Sequence, residues 1–161
     1  MDTYVVRNPD YENRIVESFS RQAFMTSLNA KLGEIAPGRV EIKLHHDERL
    51  CQQHGFFHGG VIGTLADNVA AYAAFSLMPA EDTGLTIEYK INFISPGDGQ
   101  ALLAWGCVIH AGRRMTVCRS DVYSVREDRK RLCATALCTI ATMIGRPDRK
   151  MDRIEAAPPI E

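Results

Sequence analysis

The length and composition of the chain are those of one globular domain. It has 161 residues, 45% of them hydrophobic, which is enough for a proper core, so disorder is not the expected state. The net charge is −1 with acidic and basic residues interspersed, which gives no support for a nucleic-acid-binding surface. We expect a single domain at residues 1–145, followed by a charged, flexible tail at 146–161.

Cysteine usage and the N-terminus favour a reducing compartment. The five cysteines are scattered through apolar segments and form no C-x-x-C pair, which is typical of reduced, intracellular proteins. The first residues lack the basic-then-apolar pattern of a signal peptide, and no apolar run approaches membrane-spanning length. We therefore expect a cytoplasmic protein with no membrane partner. The cysteines are Cys51, Cys107, Cys118, Cys133 and Cys138.

Periodicity predicts the order helix, two strands, long helix, four strands. Asn8 as a cap and Pro9 at the first helical position predict a helix start, and Ile15, Phe19 and Ala23 then share one face. The expected elements are a helix at about 9–25, strands at 27–35 and 38–46, a helix at about 59–77, and strands at 85–93, 101–111, 114–126 and 131–144.

The clearest strand pattern lies at residues 85–93. Five apolar residues alternate there with four polar ones, so the pattern predicts one apolar and one polar face, as in an antiparallel sheet covered on one side. Helices segregated from such a sheet make the fold class α+β. The long helix is apolar on nearly all sides, which predicts a sheet curled around it.

A glycine-rich turn at 55–60 runs into this long helix, which carries one carboxylate, Asp67. A lone aspartate in an apolar helix is costly unless it is paired, hydrogen-bonded or protonated, so Asp67 is a candidate for a chemical role. His58 lies nine residues earlier, about 13 Å along the axis and on the opposite side of a continuous helix. The two could share a substrate only if the site lies between two subunits, which predicts a two-fold dimer.

The chain resembles the hotdog-fold acyl-CoA thioesterases of the phenylacetate-degradation type, from about Gly33 to Ile144. The resemblance rests on a glycine, two residues, His-Gly-Gly and then Leu-x-Asp, on the Phe-x-x-Pro strand end, and on the turn at 110–114. It implies a curved antiparallel sheet wrapped around one long buried helix. It also implies an acyl-CoA or aryl-CoA substrate, no metal or other cofactor, and a homo-oligomer built from dimers, with a tetramer favoured. The residues that carry it are Gly55, His58, Gly59, Gly60, Leu65, Asp67, Phe93, Pro96 and 110–114.

The same resemblance implies roles for the catalytic candidates. The backbone N–H of Gly59 polarises the thioester carbonyl, and the carboxylate of Asp67 comes from the partner subunit's helix. Thr86 occupies the position of a hydroxyl residue that helps to hold the attacking water. Gln52 stands where the family often has asparagine six residues before the histidine, and it can make the same amide contacts with one more methylene. His58, next to Gly59, completes the catalytic candidates.

Substrate binding is assigned by the same resemblance and by position in the motif. Arg113 and Arg114 match a turn that approaches the coenzyme A phosphates. The remaining candidates flank the motif or line the acyl tunnel expected between subunits. They are Gly60, Asn68, Phe56, Phe57 and Tyr72.

Thioester hydrolysis explains why these residue types would be needed. Negative charge develops on the carbonyl oxygen, which free backbone N–H groups and a helix N-terminus are suited to receive. Glycine allows the substrate to approach the backbone closely. A base must activate water, and Asp67 in a dry setting would gain basicity. Whether Asp67 acts as a base or attacks directly is left open by the sequence.

Each assignment has a structural alternative. Asp67 would then be a buried structural carboxylate and His58 a helix cap. Thr86 would be solvated, Gln52 would be a loop residue, and Arg113 and Arg114 ordinary turn charges. A metal site using His54 and His58 is disfavoured, because the glycines at 55, 59 and 60 argue against a helix through that stretch.

Two other functions stay open beside hydrolysis. The first is a hotdog enoyl-CoA hydratase or dehydratase, although the chain lacks the proline-rich approach to the helix that marks the acyl-carrier dehydratases. The second is a non-catalytic acyl-CoA-binding or sensor module, for which Gln52 at the asparagine position leaves room.

Overall fold

The computed structural model describes residues 4–149. The strands form one antiparallel six-stranded sheet in the order β1-β2-β4-β5-β6-β3, and α3 lies across one face in contact with β2 to β6. This is the expected α+β hotdog architecture. Its elements are α1 Tyr11–Ser20, α2 Ala23–Ser27, β1 Lys31–Ala36, β2 Arg39–His45, α3 Gly59–Phe75, β3 Thr83–Phe93, β4 Ala101–Ala111, β5 Met115–Arg126 and β6 Arg129–Met143.

The core lies between α3 and the sheet. Alternate residues of the central strands point at the helix and are buried, among them Ile42 and Leu102, while the residues between them face outward. Gly106 on β4 lets the helix come close, since a Cβ there would lie 2.1 Å from the carbonyl oxygen of Val69. The backbone of α3 therefore rests directly on the middle of the sheet.

The N-terminal helix differs from the expected one. Two short helices replace it, because the chain turns at Gln22, whose side-chain amide donates to the Tyr72 hydroxyl at 2.7 Å. The turn brings Met25 into the core instead of Ala23, which is exposed. Asn8 does not cap the helix: its side-chain oxygen accepts from the N–H of Asp10, which is itself the N-cap residue.

The single covered apolar face expected for β3 is wrong. The register with β6 shifts between Thr86 and Glu88, which reverses the alternation along the strand. Thr86 and Tyr89 pair with residues of β6 that point at the helix, whereas Leu85 and Ile87 face the other way and are 57% and 62% exposed. Because β3 is an edge strand, even the apolar side chains on its helix side are incompletely covered within one chain.

The expected tail lies mostly outside the described residues. Of positions 146–161 the structure describes only 146–149, where Asp148 forms a 2.5 Å ion pair with Arg21. Within residues 4–149, no helix is long and apolar enough to cross a bilayer.

Candidate active site

The start of α3 leaves one backbone donor without a partner. His58 is the N-cap residue: its Nδ1 accepts from the N–H of Gly60 at 2.9 Å, and its carbonyl accepts from Val61 and Ile62. Three of the first four N–H groups of the helix are thereby bonded. Of these four donors, only the N–H of Gly59 has no hydrogen-bond partner within residues 4–149, and it lies at the positive end of the helix dipole.

A cleft of about 380 Å³ opens at this helix start. A Cβ on Gly59 would lie 3.3 Å from the Phe93 ring, so only glycine leaves this approach open without displacing the ring. The cleft thus offers a backbone donor in mainly apolar surroundings, which suits a carbonyl oxygen with an apolar group attached. Its lining residues are Gln52, Phe56, Phe57, Gly59, Ile62, Phe93, Ile94, Ser95, Pro96 and Gly97.

Asp67 is paired with Thr86. The carboxylate oxygen Oδ1 accepts from the Thr86 hydroxyl at 2.6 Å, and both side chains are half-buried. The register shift in β3 turns Thr86 toward the helix, so it is not the solvated residue that the alternative interpretation expects. The hydrogen bond fixes one oxygen of Asp67 and leaves the other available to a water molecule or a substrate.

Asp67 and the Gly59 cleft are separate within one chain. Asp67 follows Gly59 by eight residues, about 12 Å along the helix axis, and it is not among the residues that line the cleft. It lies on a half-exposed stripe of α3 with Thr64, Asn68 and Ala71. One chain therefore carries two halves of a site that do not meet.

Known proteins resemble this chain in sequence and fold. A thioesterase family protein from Silicibacter pomeroyi has 39% identity and a TM-score of 0.82, covering 84% of this chain and 99% of that one. The 1,4-dihydroxy-2-naphthoyl-CoA hydrolase of Listeria monocytogenes is 24% identical over 71% of this chain and 91% of the hydrolase. The sequence profile of the thioesterase superfamily matches residues 54–130. The chain belongs to this superfamily.

A further solved structure shares the fold. The PaaI protein of E. coli, from the phenylacetic acid degradation operon, has 19% identity and a TM-score of 0.77, covering 89% of this chain and 99% of that one. This is a likeness of fold. Together with the family match it confirms the hotdog-fold acyl-CoA thioesterase family, and the protein is a thioester hydrolase.

Three further site candidates of this thioesterase, Gln52, Asn68 and His58, make side-chain hydrogen bonds to residues nearby in the sequence. The side-chain oxygen of Gln52 accepts from the N–H of His54, so it closes its own turn while lining the cleft. The amide of Asn68 donates to the Thr64 carbonyl at 3.1 Å on the same helix. The imidazole of His58 acts as a helix cap, which agrees with the structural alternative for that residue.

Arg113 and Arg114 lie far from the cleft in the same chain. Arg113 lines a second cavity of about 220 Å³ with Ala74 and Leu77, toward the C-terminal end of α3. Both arginine side chains are exposed in the β4–β5 turn. Tyr72 is also remote: it is buried under α1 and bonded to Ser18 and Gln22, so it does not line the cleft in this chain.

Six residues that line the cleft were not among the predicted site residues. They are Ile62, Phe93, Ile94, Ser95, Pro96 and Gly97. Ile94 belongs to the Phe-x-x-Pro strand end that had served to identify the family, so that motif could have located it. Ile62 carries no sequence signal, because one isoleucine in an apolar helix resembles any other.

Thiol chemistry at the three buried cysteines and metal chemistry receive no support from the described residues. Burial raises the pKa of Cys118 to about 12 and the pKa values of Cys133 and Cys138 to about 11, which keeps these thiols protonated. Among residues 4–149, no three His, Cys, Asp or Glu side chains are grouped so that they could hold a metal ion.

Proposed function

We propose that this thioesterase hydrolyses acyl-CoA thioesters in a site shared by two subunits. One subunit contributes the cleft and the N–H of Gly59, and its partner contributes the Asp67–Thr86 pair. The observation that carries the proposal is the free Gly59 donor on an apolar cleft, with the carboxylate about 12 Å away along the same helix. Each half lacks what the other supplies.

Strand β3 supports a two-fold arrangement that joins the halves. It is an edge strand with exposed apolar side chains, so pairing with the same edge of a second copy would bury them and satisfy the free strand edge. Antiparallel pairing places the start of one β3 beside the end of the other. Thr86 lies near the start and Phe93, a wall of the cleft, at the end. We take this dimer as the functional unit, with a tetramer formed from two dimers.

The proposed chemistry uses each group at a stated atom. The Gly59 N–H and the positive end of the helix dipole receive the negative charge that develops on the carbonyl oxygen. The oxygen of Asp67 not bonded to Thr86 accepts a proton as water adds to the carbonyl carbon. Breaking the C–S bond then releases the acid and the coenzyme A thiolate, and the thiolate takes the proton from Asp67, which regenerates the carboxylate. Direct attack by Asp67 would instead give an acyl-enzyme anhydride that water hydrolyses.

The other candidates have supporting roles in this proposal. His58 holds the glycine turn through its bond to Gly60, which leaves Gly59 free. Gln52 and Phe57 form walls of the cleft. In the antiparallel dimer the β4–β5 turn of one subunit, with Arg113 and Arg114, approaches the partner's cleft, where cations would attract the phosphates of coenzyme A. The reaction as proposed uses no metal or other cofactor.

The test is release of free thiol from short, medium, long and aryl acyl-CoAs by wild type and Asp67→Asn. We expect kcat to fall about 10²- to 10⁴-fold, the usual contribution of a general base. Asp121→Asn is the matched control, because Asp121 is also half-buried and also accepts from a threonine hydroxyl, that of Thr135 at 2.7 Å, but on the outer face of the sheet.

The outcomes separate the alternatives. Equal activity in wild type and Asp67→Asn would refute the role of Asp67. Tight acyl-CoA binding without thiol release would favour the sensor, and a spectral change with an enoyl-CoA without thiol release would favour the hydratase.

To test the shared site, Asp67→Asn is mixed with Gly59→Val, each inactive alone. Random exchange gives one intact site in half of the dimers, hence about a quarter of wild-type activity, and a site within one chain gives none.

A further inference from the structure

One buried hydroxyl lies directly behind Asp67. Ser120 is on the helix-facing side of β5, is 0% exposed, and donates its hydroxyl to the carbonyl oxygen of Ala66 at 2.6 Å. That carbonyl belongs to the peptide unit whose N–H is the backbone nitrogen of Asp67. A polar group in this core is costly unless it is hydrogen-bonded. The hydrogen bond of Ser120 ends on the carbonyl group that is joined directly to the backbone nitrogen of the candidate catalytic residue.

The same part of the sheet fixes the distance of the helix from the strands. Ser120 pairs across the sheet with Gly106, where a Cβ would lie 2.1 Å from the Val69 carbonyl. Gly106 thus allows α3 to approach the sheet, and the hydroxyl of Ser120 bonds α3 at the Ala66 carbonyl. The Cys138 thiol lies 4.0 Å from both the Ser120 hydroxyl and the Ala66 carbonyl, which completes the contact on the side of β6.

Asp67 is therefore held from two strands at two points. Ser120 of β5 holds the peptide before it, and Thr86 of β3 holds the tip of its carboxylate. A small rotation of α3 about its axis would move the carboxylate relative to Thr86 and to a water bound at its free oxygen. Misplacement of a reacting group by about 1 Å costs on the order of 100-fold in rate.

We propose that Ser120 is a positioning residue for Asp67: its bond to the Ala66 carbonyl sets the rotation of α3 that presents the carboxylate to Thr86 and water. This inference rests on the proposed function, because the positioned group is the base of that reaction. Ser120 touches neither the cleft nor Asp67's carboxylate, so its effect passes entirely through the helix.

Ser76 offers a closely matched control. Its hydroxyl is also 0% exposed and also donates at 2.6 Å to a carbonyl of α3, that of Ala73, but at the far end of the helix. It additionally accepts from the N–H of Gly38, so Ser76→Ala leaves a buried donor unpaired and should destabilise the fold at least as much as Ser120→Ala.

We expect Ser120→Ala to lower kcat about tenfold with KM unchanged, and Ser76→Ala to change kcat by less than about twofold. Ser120→Cys, which retains a weak donor, should recover part of the lost activity. In the Asp67→Asn background, Ser120→Ala should have no further effect on kcat, because the group that it positions is gone. Equal losses of kcat in the two serine variants, or a full tenfold loss in the Asp67→Asn background, would overturn the proposal.

A readout that needs no turnover separates this inference from the proposed function. The ¹³C resonance of the Asp67 carboxyl is followed by NMR against pH in wild type, Ser120→Ala and Ser76→Ala. A resonance or titration midpoint that changes only in Ser120→Ala supports positioning, even if no acyl-CoA is hydrolysed. Curves that are the same in all three proteins would refute it, even if wild type is an active thioesterase.

Discussion

The middle of the sheet and its β3 edge both carry apolar side chains, but these are covered in different ways. In β2 and β4, the residues that face the helix are fully covered by α3 of the same chain. In β3, Ile87 and Phe93 are 62% and 56% exposed. The middle therefore has what a folded monomer needs, whereas the edge has a surface that a second copy would cover. We expect changes in the middle to affect stability and changes at the edge to affect assembly and activity.

The strongest test of this contrast is a charge at the edge. Ile87 lies near the middle of β3, so a two-fold pairing brings it close to its own copy, and Ile87→Lys would place two like charges together. We expect a folded monomer by sedimentation and far-UV circular dichroism, with thiol release reduced at least about 100-fold because the partner's carboxylate is missing. Phe24→Lys changes a similarly exposed aromatic residue of α2, and it should leave the dimer and its thiol release unchanged. An active dimer of Ile87→Lys would contradict the pairing.

The next largest effect is expected in the middle of the sheet. Gly106→Ala would force a Cβ against the backbone of Val69, at a place where neither element can move away. We expect a loss of about 3 kcal/mol in the free energy of unfolding, measured by urea denaturation. Gly55→Ala is the comparison: φ there is +80° but the space is open, so only the backbone strain of about 1 kcal/mol applies. Similar losses in both would show that α3 does not rest on the sheet as described.

Loss of the Arg14 contacts that attach α1 to the end of α3 should lower the stability by a smaller amount. Arg14 donates to the carbonyls of Pro79, at 2.7 Å, and Asp82, and its guanidinium lies 3.9 Å from the Phe75 ring centre. Arg14→Met would leave those carbonyls without this donor and cost about 2 kcal/mol in urea denaturation. Arg21→Met removes the exposed ion pair with Asp148 and an exposed hydrogen bond to its carbonyl, and should cost less than about 1 kcal/mol. If the two losses are equal, Arg14 is not the stronger attachment.

The smallest effect concerns acid stability near the cleft loop. Burial raises the pKa of Asp98, but the hydrogen bond and charge of Arg131 outweigh it, so the folded pKa lies below the usual 3.8. A depressed carboxyl pKa stabilises the fold above the unfolded value, and that stabilisation is lost as pH falls through the folded pKa. Asp98→Asn should therefore lose less stability than wild type between pH 5 and about 3 in urea titrations. Parallel curves would mean that the ion pair contributes nothing.

Much of this arrangement could be predicted from the sequence. The bounds of α3, β4, β5 and β6 agree with the expected ones to within about three residues, because helical and strand periodicities are local properties. Motif and spacing single out the glycine turn and Asp67, and the family resemblance adds Thr86, whose hydroxyl the structure places against the Asp67 carboxylate. The separation of Gly59 from Asp67 along one helix also follows from spacing alone, and it holds in the structure.

Three features required the tertiary structure. Nothing in the alternation of 85–93 reveals the register shift that turns Thr86 toward Asp67 and leaves Leu85 and Ile87 outside, because a bulge depends on the partner strand. The break between α1 and α2 depends on Tyr72, which is distant in sequence.

The third is the role of Ser120, since a serine in a strand has no sequence signal until a helix carbonyl lies above it. The sequence by itself determined α3, most of the strands, the family and the catalytic candidates, because these depend on local pattern and composition. Only the tertiary structure decided which side chains face each other, because that depends on strand register and on how closely the helix approaches the sheet.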